Sequence, residues 1–145
     1  YGNGIQCAGK ATITGARVRG GGATTSNGIS LTATGCVVTG AIIEATPSSG
    51  ISIGADRCVV AGAMLDGCCV DQGGGAYLLV VGNVNRASIS GIVARKVSTG
   101  SYGVRIASGT GTGITVKASV AQGFSGNAFS DGSSGSNDIT GNLSP

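Results

Sequence analysis

Residues 11–19 read ATITGARVR, and the same phrase returns as CVVTGAIIE at 36–44 and CVVAGAMLD at 58–66. Looser copies follow: ASISGIVAR at 87–95, TVKASVAQ at 115–122 and DITGNLSP at 138–145. Aligned on the small residue after the apolar pair, the six copies place Gly15, Gly40, Gly62, Gly91, Ala118 and Gly141 in one column, at steps of 25, 22, 29, 27 and 23 residues. Self-similarity at a period of about 20 to 50 residues marks a solenoid, in which each unit buries its apolar face only by stacking on its neighbours.

Working outward, each phrase is preceded by a second apolar stretch. These are Gly4-Ile5-Gln6-Cys7, Gly28-Ile29-Ser30-Leu31, Gly50-Ile51-Ser52-Ile53, Tyr77-Leu78-Leu79-Val80 and Gly103-Val104-Arg105-Ile106. Period-two alternation puts Cys7, Leu31, Ile53, Val80 and Ile106 on one side of this first segment. It puts Ile13, Val38, Val60, Ile89, Val116 and Ile139 on one side of the second. Both columns are expected to face the interior. Asn3, Asn27 and Asn127 lie just before first segments, where a residue tolerant of the left-handed conformation suits a corner. The Gly column reads as a sharp bend at which a Cβ would crowd the corner and the adjoining coil.

Composition agrees with an all-β chain. Of 145 residues, 29 are Gly, 10% are charged, 3% are aromatic, and neither Trp nor His occurs, so a core must be made from Val, Ile, Leu, Ala and Cys. No stretch carries a helical apolar stripe with recognisable caps. Short strands, tight corners and a repeat of about 25 residues predict a right-handed parallel β-helix. Six coils stacked at strand spacing would stand about 30 Å tall. Residues 1–145 form a single β-helix domain, and Tyr1 in place of an initiator Met reads as the start of a processed product or a piece of a longer chain.

The net charge of +3 is spread along the chain, without the dense basic patch or clustered aromatics of a nucleic-acid binder. No apolar run is long enough for a membrane span. The five cysteines, Cys7, Cys36, Cys58, Cys68 and Cys69, lack the CxxC pairs of a zinc site, and no metal or cofactor is expected. Cys36 and Cys58 share a column with Ala11 and Ala87 and read as small buried hydrophobes. Gly4 through Lys10 has the GxxxxGK spacing of a phosphate loop, but Ala11 replaces the Ser or Thr that would bind magnesium, and no helix follows.

In the repeat and in the turn-strand-turn stretch Asn137-Asp138-Ile139-Thr140-Gly141-Asn142, the chain resembles the right-handed parallel β-helix, pectate-lyase-like superfamily. That resemblance covers the whole chain but is architectural, and the fold by itself does not select a function. It implies either an enzyme acting on polysaccharide or a trimeric tailspike or tail-fibre segment of a bacteriophage. The calcium-binding acids with a basic catalyst of the lyases are not visible, nor are the grouped aspartates and histidine of the polygalacturonases.

Four places after the bend runs the polar column Arg19, Glu44, Asp66, Arg95, Gln122. Glu44 and Asp66 fall on adjacent coils at about 5 Å, the carboxyl spacing of a retaining glycosidase. They also fit a surface ladder in which Arg19 and Arg95 flank the two acids, in the order plus, minus, minus, plus. For ligand contact the candidates are Asp71 and Gln72 in the Gly-rich loop 71–76, together with Lys10, Arg57 and Arg86 at equivalent pre-strand positions, where they would meet an acidic polysaccharide. Two consecutive columns after the bend are largely apolar, and on a regular strand only one faces the core. The other, with Ile42, Met64 and Val93, would join outward Val37 and Val59 in an association surface, as in a homotrimer.

The leading expectation is a receptor-binding or structural segment of a phage tail that recognises cell-surface glycan, located in the virion tail. The competing ones are a polysaccharide lyase, hydrolase or epimerase, and a passenger segment of a secreted bacterial adhesin.

Overall fold

A computed structural model describes residues 3–20, 27–68, 77–95, 102–109, 111–124 and 128–143. Alternation in the two apolar stretches gives three short strands per turn. The first turn holds β1 (Ile5–Cys7), β2 (Thr12–Thr14) and β3 (Arg17–Arg19). The second holds β4 (Ile29–Leu31), β5 (Val37–Thr39) and β6 (Ile42–Glu44), and the third β7 (Ile51–Ile53), β8 (Val59–Ala61) and β9 (Met64–Asp66). In the fourth are β10 (Tyr77–Val81), β11 (Ser88–Ser90) and β12 (Val93–Arg95), and in the fifth β13 (Tyr102–Ile106), β14 (Thr115–Lys117) and β15 (Val120–Gln122). Finally β16 (Phe129–Asp131) and β17 (Asp138–Thr140) begin a sixth turn, whose third side is a single bridge from Leu143 to Val120.

Each strand pairs in parallel with its counterpart one turn away. The result is three sheets, β1-β4-β7-β10-β13-β16, β2-β5-β8-β11-β14-β17 and β3-β6-β9-β12-β15. The chain is therefore a parallel β-solenoid. Its complete three-stranded turns number five among the described residues, one fewer than the repeated phrases. The quoted phrase spans two strands, with the Gly column as the bend between the second and third sheets.

The interior is the union of three inward columns. Ile29, Leu31, Ile51, Ile53, Leu79, Val81 and Ile106 come from the first sheet, Val38, Val60, Ile89 and Val116 from the second, and Ile43, Leu65, Ala94 and Ala121 from the third, all buried. Each large aliphatic side chain taken fully from water contributes about 1.5 to 3 kcal/mol, which offsets the cost of ordering so many glycines. Ile13 and Ile139, on the terminal strands, are only partly covered because a neighbouring turn is present on one side. One expected member moves. The register places Val81, not Val80, opposite Ile53 and Ile106. The run Tyr77-Leu78-Leu79-Val80-Val81 is apolar throughout, so alternation carries no phase information there.

All six residues of the bend column have positive φ: Gly15 (63°), Gly40 (62°), Gly62 (63°), Gly91 (61°), Ala118 (49°) and Gly141 (66°). The requirement is conformational rather than steric. A Cβ built on Gly40 meets nothing within 4 Å, and one on Gly91 comes only to 3.6 Å from the backbone of Gly62. Crowding acts elsewhere, at the entry to the first sheet. A Cβ on Gly28 would lie 2.5 Å from Ile43 Cγ2 and 2.6 Å from the Gly50 carbonyl oxygen. Asn3 and Asn27, placed at that same entry, are linked by a hydrogen bond in which the Asn27 N–H donates to Asn3 Oδ1 at 3.2 Å.

The two glycine roles separate in denaturation. Gly40→Ala is expected to cost about 1 to 2 kcal/mol, the left-handed penalty of an L-residue that Ala118 already bears. Gly28→Ala is expected to cost about 3 kcal/mol or more, because backbone and a buried Ile must both shift. Urea midpoints of the two variants check this; a milder effect at Gly28 would mean that the entry is not tightly packed.

Candidate functional site

The corner between the first and second sheets repeats a two-residue pattern on successive turns: Thr34-Gly35, Asp56-Arg57, Asn85-Arg86 and Thr112-Gly113. The second residue is left-handed each time, with φ of 77° at Gly35, 58° at Arg57, 60° at Arg86 and 67° at Gly113. Its N–H donates to the carbonyl of the first residue one turn on. Thus Gly35 reaches Asp56 (3.0 Å), Arg57 reaches Asn85 (3.1 Å) and Arg86 reaches Thr112 (2.9 Å). A side-chain ladder reinforces the backbone one. Asp56 Oδ1 accepts from the Asn85 N–H at 2.7 Å, and Asn85 Oδ1 accepts from the Thr112 hydroxyl at 3.1 Å.

Asp56, Arg57, Asn85, Arg86 and Thr112 line an open cleft of about 300 Å³. Two of the sequence candidates, Arg57 and Arg86, are thereby brought together one turn apart, a strand spacing of about 4.8 Å. Both are exposed. The ion pairs formed among the described residues are Arg17–Glu44 and Lys117–Asp138, and neither involves this cleft. Each left-handed Arg bears a backbone cost of about 1 to 2 kcal/mol, as Ala45 and Ala118 do at the other two corners, so the conformation belongs to the fold and the cations are what distinguish this corner.

Lys10 occupies the same column on the first turn, and its stem lies along Gly35, whose built Cβ would be 3.6 Å from Lys10 Cε. In the same manner Arg86 Cγ lies 3.6 Å from a Cβ built on Gly113. Cationic side chains thus extend along the solenoid over glycines of the next turn. Asp71 and Gln72 lie outside the described residues. Asp56, Asn85 and Thr112 were not singled out from sequence as ligand contacts, although they stand immediately before Arg57, Arg86 and Gly113 in the aligned turns. The column alignment that found the arginines contains them.

The acidic pair lies on a different face. Glu44 and Asp66 are register partners on β6 and β9. Glu44 accepts a fork from Arg17, with Arg17 Nη2 at 3.0 Å from Oε2 and 3.2 Å from Oε1 and Nε at 3.2 Å from Oε2. The partner is Arg17, diagonal to Glu44 on the same outward face, rather than the directly opposed Arg19. The cleft and this pair share no residue.

Other titratable groups have structural settings. Cys36 and Cys58 are buried, their thiols 3.5 Å from the Gly9 carbonyl oxygen and 3.6 Å from that of Ala33. Burial pushes the Cys58 thiol up, and burial together with the neighbouring Cys36 thiol pushes Cys7 up. Cys68 is likewise raised by burial. At Asp131 burial works upward, but hydrogen bonds from the Ser133 N–H and hydroxyl and from Asn137 outweigh it and hold the carboxyl below its ordinary value. Asp138 is held low by Lys117 at 2.6 Å and by the Thr140 hydroxyl. Among the described residues no group of three or more acids and cysteines is arranged to hold a metal ion.

Of the two apolar columns after the bend, the structure turns Val18, Ile43, Leu65, Ala94 and Ala121 inward and Ile42, Met64, Val93 and Val120 outward. Val37 and Val59 also face outward on β5 and β8, on the other side of the bend, and all six outward residues remain half-exposed. Among the described residues no helix is long and apolar enough to cross a membrane.

No protein-family model, no curated protein and no solved structure matches this chain.

Because Arg17 is 65% exposed, the Arg17–Glu44 fork is expected to contribute under about 1 kcal/mol. Glu44→Gln should therefore shift a urea midpoint only slightly, and by less in high salt. A loss of several kcal/mol would show the fork to be part of a larger network.

Proposed function

We propose that this chain is a rigid recognition module that binds anionic cell-surface polysaccharide, of the kind carried by bacteriophage tailspikes and tail fibres in the virion tail. The observation that carries the reading is the corner cleft. Two exposed guanidinium groups stand one turn apart on left-handed backbone, beside Asp56, Asn85 and Thr112. A guanidinium suits a sugar carboxylate through bidentate hydrogen bonding, while a carboxylate, an amide and a hydroxyl suit the sugar's neutral hydroxyl groups. A volume of about 300 Å³ stands at the lower end of small-ligand sites and suits a short glycan segment rather than a large cofactor. The cleft is built on sheet corners, so it is largely formed before a ligand arrives.

The test is binding to the immobilised chain of a polyuronate, a neutral glucan and a single-stranded polynucleotide of matched charge. The polyuronate is expected to bind, and the double variant Arg57→Gln with Arg86→Gln is expected to weaken it at least tenfold, the loss of about 1.4 kcal/mol or more. Equal binding of the neutral glucan, tighter binding of the polynucleotide, or indifference to the double variant would each overturn the reading.

A homotrimer is proposed with it, on a separate observation. Val37 and Val59 on one side of the bend and Ile42, Met64 and Val93 on the other form outward apolar columns that continue from turn to turn. These side chains are half-buried within the chain, and an apolar column that still reaches the surface over two or three turns supports an association face. Sedimentation equilibrium at micromolar concentration should give a trimer, and Ile42→Asp or Val59→Asp should dissociate it. A stable monomer of the parent chain would remove the assembly proposal while leaving the cleft untouched.

A further inference from the structure

We infer that Asp56 sets which anionic sugars the corner cleft accepts: it admits a sugar that bears a carboxylate among neutral hydroxyl groups and rejects one that carries a sulfate or phosphate ester as well. The inference rests on the polysaccharide reading above and names the charge of its ligand. Among the residues that line the cleft, Arg57 and Arg86 bring two positive charges and Asp56 one negative, which leaves a net charge of +1. Asp56 stands immediately before Arg57 and one turn before Arg86, yet neither of the ion pairs formed among the described residues joins it to them. The residue is held by its neighbours instead. Its Oδ1 accepts the Asn85 N–H of the next turn at 2.7 Å, and its backbone carbonyl accepts the Gly35 N–H of the turn before at 3.0 Å. Among the described residues no donor is bonded to Oδ2.

The tie to Asn85 requires an acceptor oxygen and not a charge, so the fold by itself leaves the charge unexplained. At the equivalent position the neighbouring turns carry Thr34, Asn85 and Thr112, all neutral. Each of those suits a sugar hydroxyl group. The ionised carboxylate of Asp56 does two further things. It is an acceptor only, so a ligand hydroxyl group gains a charge-assisted hydrogen bond there while a second anionic group finds no donor. It also repels such a group, and like charges about 4 Å apart in water shift a binding equilibrium about fivefold. Discrimination then comes from a repulsive element set beside two attractive ones. The guanidinium groups draw an anion to the cleft, and the fixed carboxylate at its wall limits how much negative charge comes with it.

The experiment is calorimetric titration of the full chain with a uronic-acid disaccharide and with the same disaccharide carrying one sulfate ester per sugar, at about 0.15 M salt, where charges distant from the cleft are screened. The sulfated form is expected to bind the parent chain about fivefold more weakly. Asp56→Asn keeps an acceptor for the Asn85 N–H and removes the charge, so it is expected to strengthen the sulfated form about fivefold relative to the unsulfated one. Asp56→Glu keeps the charge and is expected to keep the parent's preference. A parent chain that binds the sulfated form as tightly as the unsulfated one, or an Asp56→Asn variant that moves both ligands alike, would overturn the role of Asp56. Should one variant fail to fold, the parent's own ratio and the other variant still decide the matter. Unsulfated binding that is lost in the Arg57→Gln, Arg86→Gln variant would uphold the polysaccharide reading whatever that ratio is. Absence of any uronate binding to the parent chain would overturn both.

Discussion

Everything in this chain depends on left-handed backbone at the corners of its turns. Three columns of positive φ run along the solenoid. They pass through Gly15, Gly40, Gly62 and Gly91 at one corner, Gly20, Ala45, Gly67 and Gly123 at the next, and Gly35, Arg57, Arg86 and Gly113 at the third. A three-residue strand is too short to bury much by itself. Repeated left-handed corners make each turn close at nearly the same place, so every strand finds its partner in register and every inward Val, Ile or Leu lands on the one before it. Corner N–H groups are used as well: Gly40 donates to Ala61 and Gly62 to Ser90, so the hydrogen-bonded ladder does not break at the bend.

That constraint also connects fold to site. Where a corner column holds only glycine and alanine, as with Ala45 and Ala118, it is a bend; where two members are arginine, the same conformation presents cations at a fixed repeat. Arg57 and Arg86 bear a backbone cost that glycine would avoid and lie close to one another, while the ion pairs seen elsewhere, Arg17–Glu44 and Lys117–Asp138, satisfy their charges within the protein. That contrast is what supports the proposal of an external anion at the corner cleft. Glu44, by comparison, has both oxygens occupied by a neighbouring side chain.

Much of the architecture was legible because solenoids write their geometry into sequence as a period. Gly40, Gly62 and Gly91 share a phrase position and, in the structure, a corner. Val38, Val60 and Ile89 share another and are all buried. Where periodicity faltered, so did the reading: the continuously apolar run at 77–81 hid a shift from Val80 to Val81. The bend glycines were read as relieving crowding, but they stand in open space, and the crowded glycine is Gly28. A sequence column says that glycine recurs without saying whether the cause is φ or a close neighbour.

By itself, then, the sequence determined the all-β class, the parallel solenoid, the inward columns of the second strand and the alignment that puts Lys10, Arg57 and Arg86 at one position. These are consequences of local alternation and a fixed repeat, which linear order contains. Only the tertiary structure decided that Val18, Ile43 and Leu65 face inward while Ile42 and Met64 face out, that Arg17 rather than Arg19 holds Glu44, and that Asp56, Asn85 and Thr112 join the arginines in one cleft. Those outcomes depend on the angle at which the chain leaves each left-handed corner and on how far a long side chain reaches across turns, quantities set by three-dimensional packing rather than by the period.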